Sequence, residues 1–262
     1  MERKNVILTV CVALLFANLA CGLAIPTTAT LPVGETTAVP PAGVTAAPPA
    51  GATVPAEGKT QLPITPGVAH VTDTGFLKIS GSVENRTGAW IGLIIINVKL
   101  YDKDNNLLMA TSTTGETDQV ATVDNGILAP GETGYFMYLR DITHIQGTFD
   151  HFELSASANE VPERVQAKAS DVNIGPLSET FVEVSGNFSN VSQTTCFKPA
   201  VVAIGYTADG KIYEVESSYP EDQAGAYLSQ MEPGQKAPFK FSIENENQHL
   251  VKIDVVAGCN VQ

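Results

Sequence analysis

The chain has 262 residues, 44% hydrophobic and only 16% charged, with a formal net charge of -13. That length holds one large domain or two small ones with a tail. A polyanion repels phosphate backbones and anionic headgroups, so the charge argues against a nucleic-acid partner and for a soluble extracellular protein.

Residues 1–4 carry Arg3 and Lys4, residues 6–17 are apolar apart from Thr9, and Asn18-Leu19-Ala20-Cys21-Gly22 follows with small residues suited to cleavage. A charged start, an apolar run and a small-residue site are the build of an export signal, which predicts a leader over 1–24. Ala20-Cys21-Gly22 resembles the bacterial lipobox, whose cysteine thiol receives a diacylglycerol. That motif has Leu and a small residue at the third and second positions before the cysteine, where this chain has Asn18 and Leu19. Three outcomes stay open: lipidation of Cys21, cleavage after Ala24 to give a secreted protein, and an uncleaved anchor. Residues 6–25 are about the 20 residues needed to span a bilayer.

Residues 26–66 hold nine of the sixteen prolines, with many Thr, Ala and Gly and few charges. Pro40-Pro41-Ala42-Gly43 is echoed by Pro48-Pro49-Ala50-Gly51, a low-complexity pattern with no apolar period from which a core could form. The expectation is a disordered linker over 25–67. In polyproline form, about 40 residues at about 3.1 Å each reach at most about 120 Å, enough to lift a domain away from a membrane.

The first folded unit is expected over 68–160. Leu77, Ile79, Gly81 and Val83 alternate with Lys78, Ser80, Ser82 and Glu84, the period of two of a half-buried strand. After the turn at Asn85-Arg86-Thr87-Gly88, residues 90–101 form the longest apolar run outside the leader and read as a central strand. Asp104-Asn105-Asn106 suits a hairpin turn. Further short strands are expected over 107–113, 120–127, 135–139 and 149–156, and no stretch has a helical period.

The second unit is expected over 161–262, with its opening strand near 165–172. Shifting the first unit by 105 positions sets Phe76 on Phe181, Ser80-Gly81 on Ser185-Gly186, Asn85 on Asn190, Tyr101 on Tyr206 and Asp104 on Asp209, without a gap. Further on, Pro130-Gly131 and Phe136 meet Pro233-Gly234 and Phe239 at a shift of 103. A duplicated domain built of regularly spaced short strands predicts an all-β protein with two tandem immunoglobulin-like β-sandwiches, joined by a linker short enough to restrain their orientation.

Val98-Lys99-Leu100-Tyr101-Asp102 resembles the Phe-x-Leu-Tyr-Asp signature of the FxLYD domain, with Val in place of Phe. Gly81-Ser82-Val83-Glu84-Asn85 and Leu128-Ala129-Pro130-Gly131-Glu132 are also similar to that family's pattern; the second unit keeps only Tyr206 of the signature. The resemblance implies a small immunoglobulin-like sandwich on exported prokaryotic proteins, and it brings no catalytic residues.

Cys196 and Cys259 are the only cysteines beyond the leader, and an even pair in an exported chain suggests a disulfide. Two buried free thiols are the alternative, because Cys196 opens a central strand and Cys259 ends the last one, points expected at opposite ends of a sandwich. Asp102-Lys103-Asp104-Asn105-Asn106 begins like a calcium loop but has Leu107 and Thr113 where glycine and glutamate belong, so a hairpin turn is the better reading. His70, His144, His151 and His249 lack metal-site spacing and read as surface histidines. The acidic pairs Glu221-Asp222 and Glu244 with Glu246 lie in polar, turn-like stretches. No Gly-x-Ser-x-Gly elbow, His-Glu-x-x-His or phosphate loop occurs, so no catalytic, metal or cofactor-binding residue and no cofactor is assigned.

Asn85, Asn187 and Asn190 open N-glycosylation sequons, although the repetition of Asn85 at Asn190 also fits a shared turn. Trp90 is expected to pack on a sheet more readily than to serve as a binding aromatic. Together these readings predict a non-catalytic envelope surface protein, held to the membrane through a lipid or N-terminal anchor, with a protein or carbohydrate ligand. The competing expectation is a carbohydrate-binding accessory or hydrolase-associated exported protein.

Overall fold

A computed structural model describes residues 60–110, 119–163 and 166–259. The chain divides into residues 1–42 and 43–262, and all described residues belong to the second unit. Cys21 and the leader lie outside them, as does most of the expected linker. The linker boundary itself moves, because strand structure begins at Thr60 rather than Val68. Strands β1 (Thr60–Leu62) and β2 (Ile64–Val71) are separated by Pro63, which cannot donate to a ladder and stands where the chain passes from one sheet to the other.

The rest of the first repeat is β3 (Phe76–Glu84), β4 (Ile91–Tyr101), β5 (Leu107–Leu108), β6 (Val120–Thr122), β7 (Thr133–Asp141) and β8 (His151–Glu160). One sheet has the order β2-β3-β7; the other runs β1-β8-β4-β5, with β6 also paired to β4. The alternation seen in β3 and β4 sends Leu77, Ile79, Ile94, Ile96, Val98 and Leu100 into a common core with Phe136 and Tyr138. Burying each such side chain contributes roughly 1.5–3 kcal/mol relative to leaving it in water.

The second repeat has β9 (Ala167–Ile174), β10 (Phe181–Asn190), β11 (Cys196–Phe197), β12 (Pro199–Tyr206), β13 (Ile212–Ser218), β14 (Gln230–Met231), β15 (Lys236–Glu244) and β16 (Lys252–Cys259). Its sheets are β9-β10-β15 and β13-β12-β16, with a small β11-β14 pair, around a second core containing Val182, Val184, Phe188 and Phe239. Among the described residues no α-helix occurs, only the 3₁₀ turns Ile142–His144 and Glu246–Gln248. The protein is all-β, built as a sandwich in duplicate.

The duplication reaches single atoms. Gly81 pairs with Phe136 and Gly186 with Phe239. A Cβ on Gly81 would stand 2.6 Å from Phe136 Cζ, and one on Gly186 would stand 2.7 Å from Phe239 Cζ, so in each copy the ring lies where a side chain would be. Leu93 (φ 51°) and Lys198 (φ 43°), again 105 positions apart, hold the same left-handed kink near the start of the central strand. Phe76 and Phe181 also share a ladder position, opposite Asp141 and Glu244.

The copies differ on their outer faces, and this difference joins them. Val202, Ile204, Ile212 and Val215 of the second repeat form a third apolar cluster with Tyr135 and Met137 of the first. At the matching positions the first repeat has exposed Asn97 and Lys99 for Val202 and Ile204, and the second has exposed Pro238 and Lys240 for Tyr135 and Met137. Each repeat is therefore apolar on the face it gives its neighbour and polar on the equivalent face that has none, the pattern of a capped array.

Candidate functional site

A group of ionisable side chains drawn from both repeats lies in the seam between them. Lys78 and Ser80 occupy β3 positions facing away from their own core, and β13 lies against them. Gly67 makes the approach possible, since a Cβ there would run into the carbonyl of Ile212. Ser80 Oγ donates to that same carbonyl at 2.7 Å. Lys78 Nζ donates to Glu214 Oε2 at 2.9 Å and to Glu244 Oε2 at 2.6 Å, with the Lys78 and Glu214 side chains 10% and 3% exposed.

Burial opposes the Lys78 charge, but the charge of Glu214 and the hydrogen bonds to Glu244 and Glu214 outweigh it and hold the ammonium above its usual range. Glu214 moves the other way from an ordinary salt-bridged acid: burial pushes it up to about 7 against the pull of Lys78. Glu244, the less buried of the two acids, accepts the shorter of the Lys78 hydrogen bonds. Asp124, on the loop before β7, is pushed up to about 7 by burial and by the charge of Glu216. Burial, then the charges of Glu214's neighbours Lys78 and Glu244, act on Glu216 too, with a net rise.

Beside this cluster His70 stacks on Tyr213 at 4.3 Å between ring centroids, and the His249 ring lies tilted against Tyr213 at 4.9 Å. His70 Nδ1 is buried without a hydrogen-bond partner, and burial followed by the charge of Lys78 lowers its pKa to about 4. Of the expected surface histidines, His70 is half-buried in the seam, whereas His249 is exposed beside Tyr213. Glu244 and Glu246, expected in a polar turn, also belong there: Glu244 ends β15, and Glu246 Oε1 accepts from the Asp73 amide at 2.8 Å. Chemically the seam is a fastening, because its charged ends are bound to one another rather than presented to solvent. Among the described residues no group of three or more His, Cys, Asp or Glu is arranged to hold a metal ion.

Cys196 and Cys259 form a disulfide with Cα atoms 5.5 Å apart. The expectation that they lie at opposite ends fails because β12 and β16 run antiparallel, with Pro199 directly opposite Cys259. The start of one strand is therefore beside the end of the other, and the left-handed Lys198 turns Cys196 aside to reach its partner. The first repeat closes the same place with Ile91, whose backbone pairs with Leu128.

Asn85 and Asn190 are both fully buried. Asn85 Nδ2 donates to the Ala89 and Leu128 carbonyls at 2.9 and 3.0 Å, and Asn190 Nδ2 donates to those of Thr194 and Met231 at 2.8 and 3.0 Å. Their Oδ1 atoms accept from the amides of Thr87 and Ser192, so these two sequons are the shared turn itself. Asn187 is half-buried on β10, and its Nδ2 donates to Asp171 Oδ2 at 3.1 Å. Asp102 Oδ1 accepts from the amides of Asp104 and Asn106 at 2.9 and 2.8 Å, which occupies the oxygens of the calcium-like stretch with its own hairpin turn. Trp90 is half-buried.

These elements define a class: an all-β, disulfide-bonded sandwich pair, a build that fits an exported protein. No family model matches the chain, and no curated protein matches it. Among solved structures it is similar to a transglutaminase from red sea bream at 9% identity and a TM-score of 0.20, over 78% of this chain and 32% of that one. The chain thus spans about a third of the length of that protein, and so slight a likeness carries no argument. Among the described residues no helix is long and apolar enough to cross a membrane.

Proposed function

We propose that this is a non-catalytic surface protein of the cell envelope, in which a proline-rich stalk displays a pair of FxLYD-like sandwiches for binding or scaffolding. Cys21, lipidated, is the anchor in this reading, and the protein stands on the outer face of the cytoplasmic membrane or on the cell surface. Its ligand is a protein or a carbohydrate rather than a nucleic acid. The supporting observation is the seam: Lys78 of the first repeat donates to Glu214 and Glu244 of the second, so the three stiffen the pair instead of facing a substrate. A stiff pair on a long stalk suits presentation at a distance. Intact mass of the membrane-extracted protein, with protease treatment of whole cells, tests this. Loss of residues 1–20 and gain of a diacylglycerol on Cys21, with cleavage of the stalk from outside, is expected. An unacylated protein released to the medium would overturn the anchor.

One observation favours a carbohydrate-binding accessory as the second reading. Tyr219 and Tyr227, 45% and 64% exposed, bring their rings within 5.8 Å on the loop after β13, and exposed tyrosine faces stack on pyranose rings. Co-sedimentation with insoluble envelope polysaccharide, abolished in Tyr219→Ala/Tyr227→Ala, would select it.

A further inference from the structure

We propose that the outer edge of β16, at residues 257–259, receives an extended segment of a partner protein as an added strand. Comparison of the two repeats shows what such a segment replaces. In the first, Ile96 of β4 faces Ala156 of β8; in the second, Val201, 105 positions further on, faces Ala257 of β16. Residues 156–158 and 257–259 are therefore equivalent. Outside β8 lies β1, with Leu62 opposite Ala156, Gln61 opposite Ser157 and Thr60 opposite Ala158. Outside β16 no strand pairs among the described residues, so β16 ends its sheet.

Pro63 explains the difference. It has no N–H to give to a ladder, and the chain crosses there from one sheet to the other. Its counterpart Lys168 has one and pairs with Ser189, so β9 stays with β10 from Ala167 onward and does not reach β16. The second core is left less covered as a result. Ala156 and Ala158 are each 1% exposed beneath β1, whereas Ala257 and Gly258 are only half-buried. Where the first repeat has Leu62 and Ile64, the second has Ala167 and Ala169, both half-buried at the margin of its core. Cys259 stays buried, tied to Cys196.

The other edges of the second repeat are guarded. β13 lies in the seam, where its Ile212 carbonyl accepts from Ser80 Oγ at 2.7 Å. β15 carries Pro238, whose carbonyl accepts from the Glu221 amide at 2.8 Å. β9 is broken by a register shift at the left-handed Asp171. Interruptions of this kind discourage strand addition. β16 instead pairs with β12 in unbroken register, and its charged residues, Lys252 and Asp254, lie away from residues 257–259. The face of β16 there is closed by the Asn125 carbonyl, 2.5 Å from where a Cβ on Gly258 would stand, which leaves the edge open rather than the face. Main-chain hydrogen bonds would hold the added segment antiparallel, and an aliphatic side chain placed as Leu62 is in the first repeat would face Ala257 and cover the second core. The partner is thus a protein with an exposed segment of alternating aliphatic and polar residues. This deepens the binding role proposed above and rests on its ligand being a protein, not on the lipid anchor.

A fluorescein-labelled peptide with the sequence of residues 58–64, which contains β1, tests the proposal against the full chain by fluorescence anisotropy and by hydrogen exchange of the mixture. Saturable binding with half-saturation below about 1 mM is expected. At about ten times the half-saturating concentration, exchange over β16 should slow about tenfold, while β8 and β13 should not change. Leu62→Asp in the peptide should weaken binding by at least about tenfold. Ala257→Lys in the protein, which sets a charge at the edge, should abolish it. Absence of saturable binding, protection of another edge instead of β16, or equal binding by the Leu62→Asp peptide would overturn the acceptor. So would undiminished binding by a folded Ala257→Lys protein; if that variant does not fold, the two peptides and the exchange pattern decide. A negative result beside a diacylglycerol on Cys21 would remove this site and leave the anchored surface protein in place.

Discussion

Lys78 and Glu214 are 136 residues apart in the chain and 2.9 Å apart in space, so one hydrogen-bonded ion pair ties the first repeat to the second. Removing Lys78 leaves Glu214 buried without a counter-charge, which typically costs about 3–5 kcal/mol. Lys78→Met is expected to lose stability on that scale in urea unfolding. Adding Glu214→Gln to Lys78→Met should recover part of the loss, because the stranded charge is then gone. Equal losses in the single and double variants would contradict the pairing.

The acid side of the stability profile should carry a contribution from His70. His70 is depressed to about 4, so its contribution is present above 6.5 and fades as pH falls through 4. In His70→Phe the ring still stacks on Tyr213 but cannot be charged. A series of melting temperatures should show that substitution reducing the loss of stability between pH 6.5 and pH 4.

The two copies should fail alike at their shared glycine. Gly81→Ala and Gly186→Ala each drive a methyl into a phenylalanine ring, with the carbonyls of Thr65 and Ser170 both 2.9 Å away. Overpacking of this kind costs about 1–3 kcal/mol. Matched denaturation curves are expected, and a neutral result at either site would show that the ring position differs between the copies.

Asn85→Ala and Asn190→Ala should each destabilise by about 2–3 kcal/mol, since carbonyls of the turn and of a neighbouring segment lose their donors inside the protein. Asn187→Ala, which removes an exposed hydrogen bond to Asp171, should change stability by less than about 0.5 kcal/mol. If the folded protein carries N-linked sugar, peptide mapping should find it at Asn187, the sequon whose amide makes that exposed bond.

Reduction of the Cys196–Cys259 bond frees a loop with a sequence separation of 63. The chain-entropy relation gives a loss of about 4 kcal/mol. Cys196→Ala/Cys259→Ala in the absence of reductant should melt like the reduced wild type, and reductant should have no further effect on it.

Repetition, strand period and the turn residues were legible without coordinates because they are local: alternation in β3 and β4, Asn85 recurring at Asn190, and Gly81 at Gly186 follow from backbone geometry over a few residues. The disulfide partners were legible as a pair, but their proximity required knowing that β12 and β16 run antiparallel side by side. The seam left only a faint trace, the exchange of Asn97 and Lys99 for Val202 and Ile204. Periodicity assigned these residues to outward positions and had no means to say that one repeat's outside is the other's inside.

That an all-β chain was made twice was therefore decided by the amino-acid order alone, since each strand and turn depends on residues adjacent in the chain. Which faces meet, and why Lys78, Glu214 and Glu244 stand together, was decided only in three dimensions. Burial and charge pairing depend on distance through space, and here that distance joins residues more than a hundred positions apart.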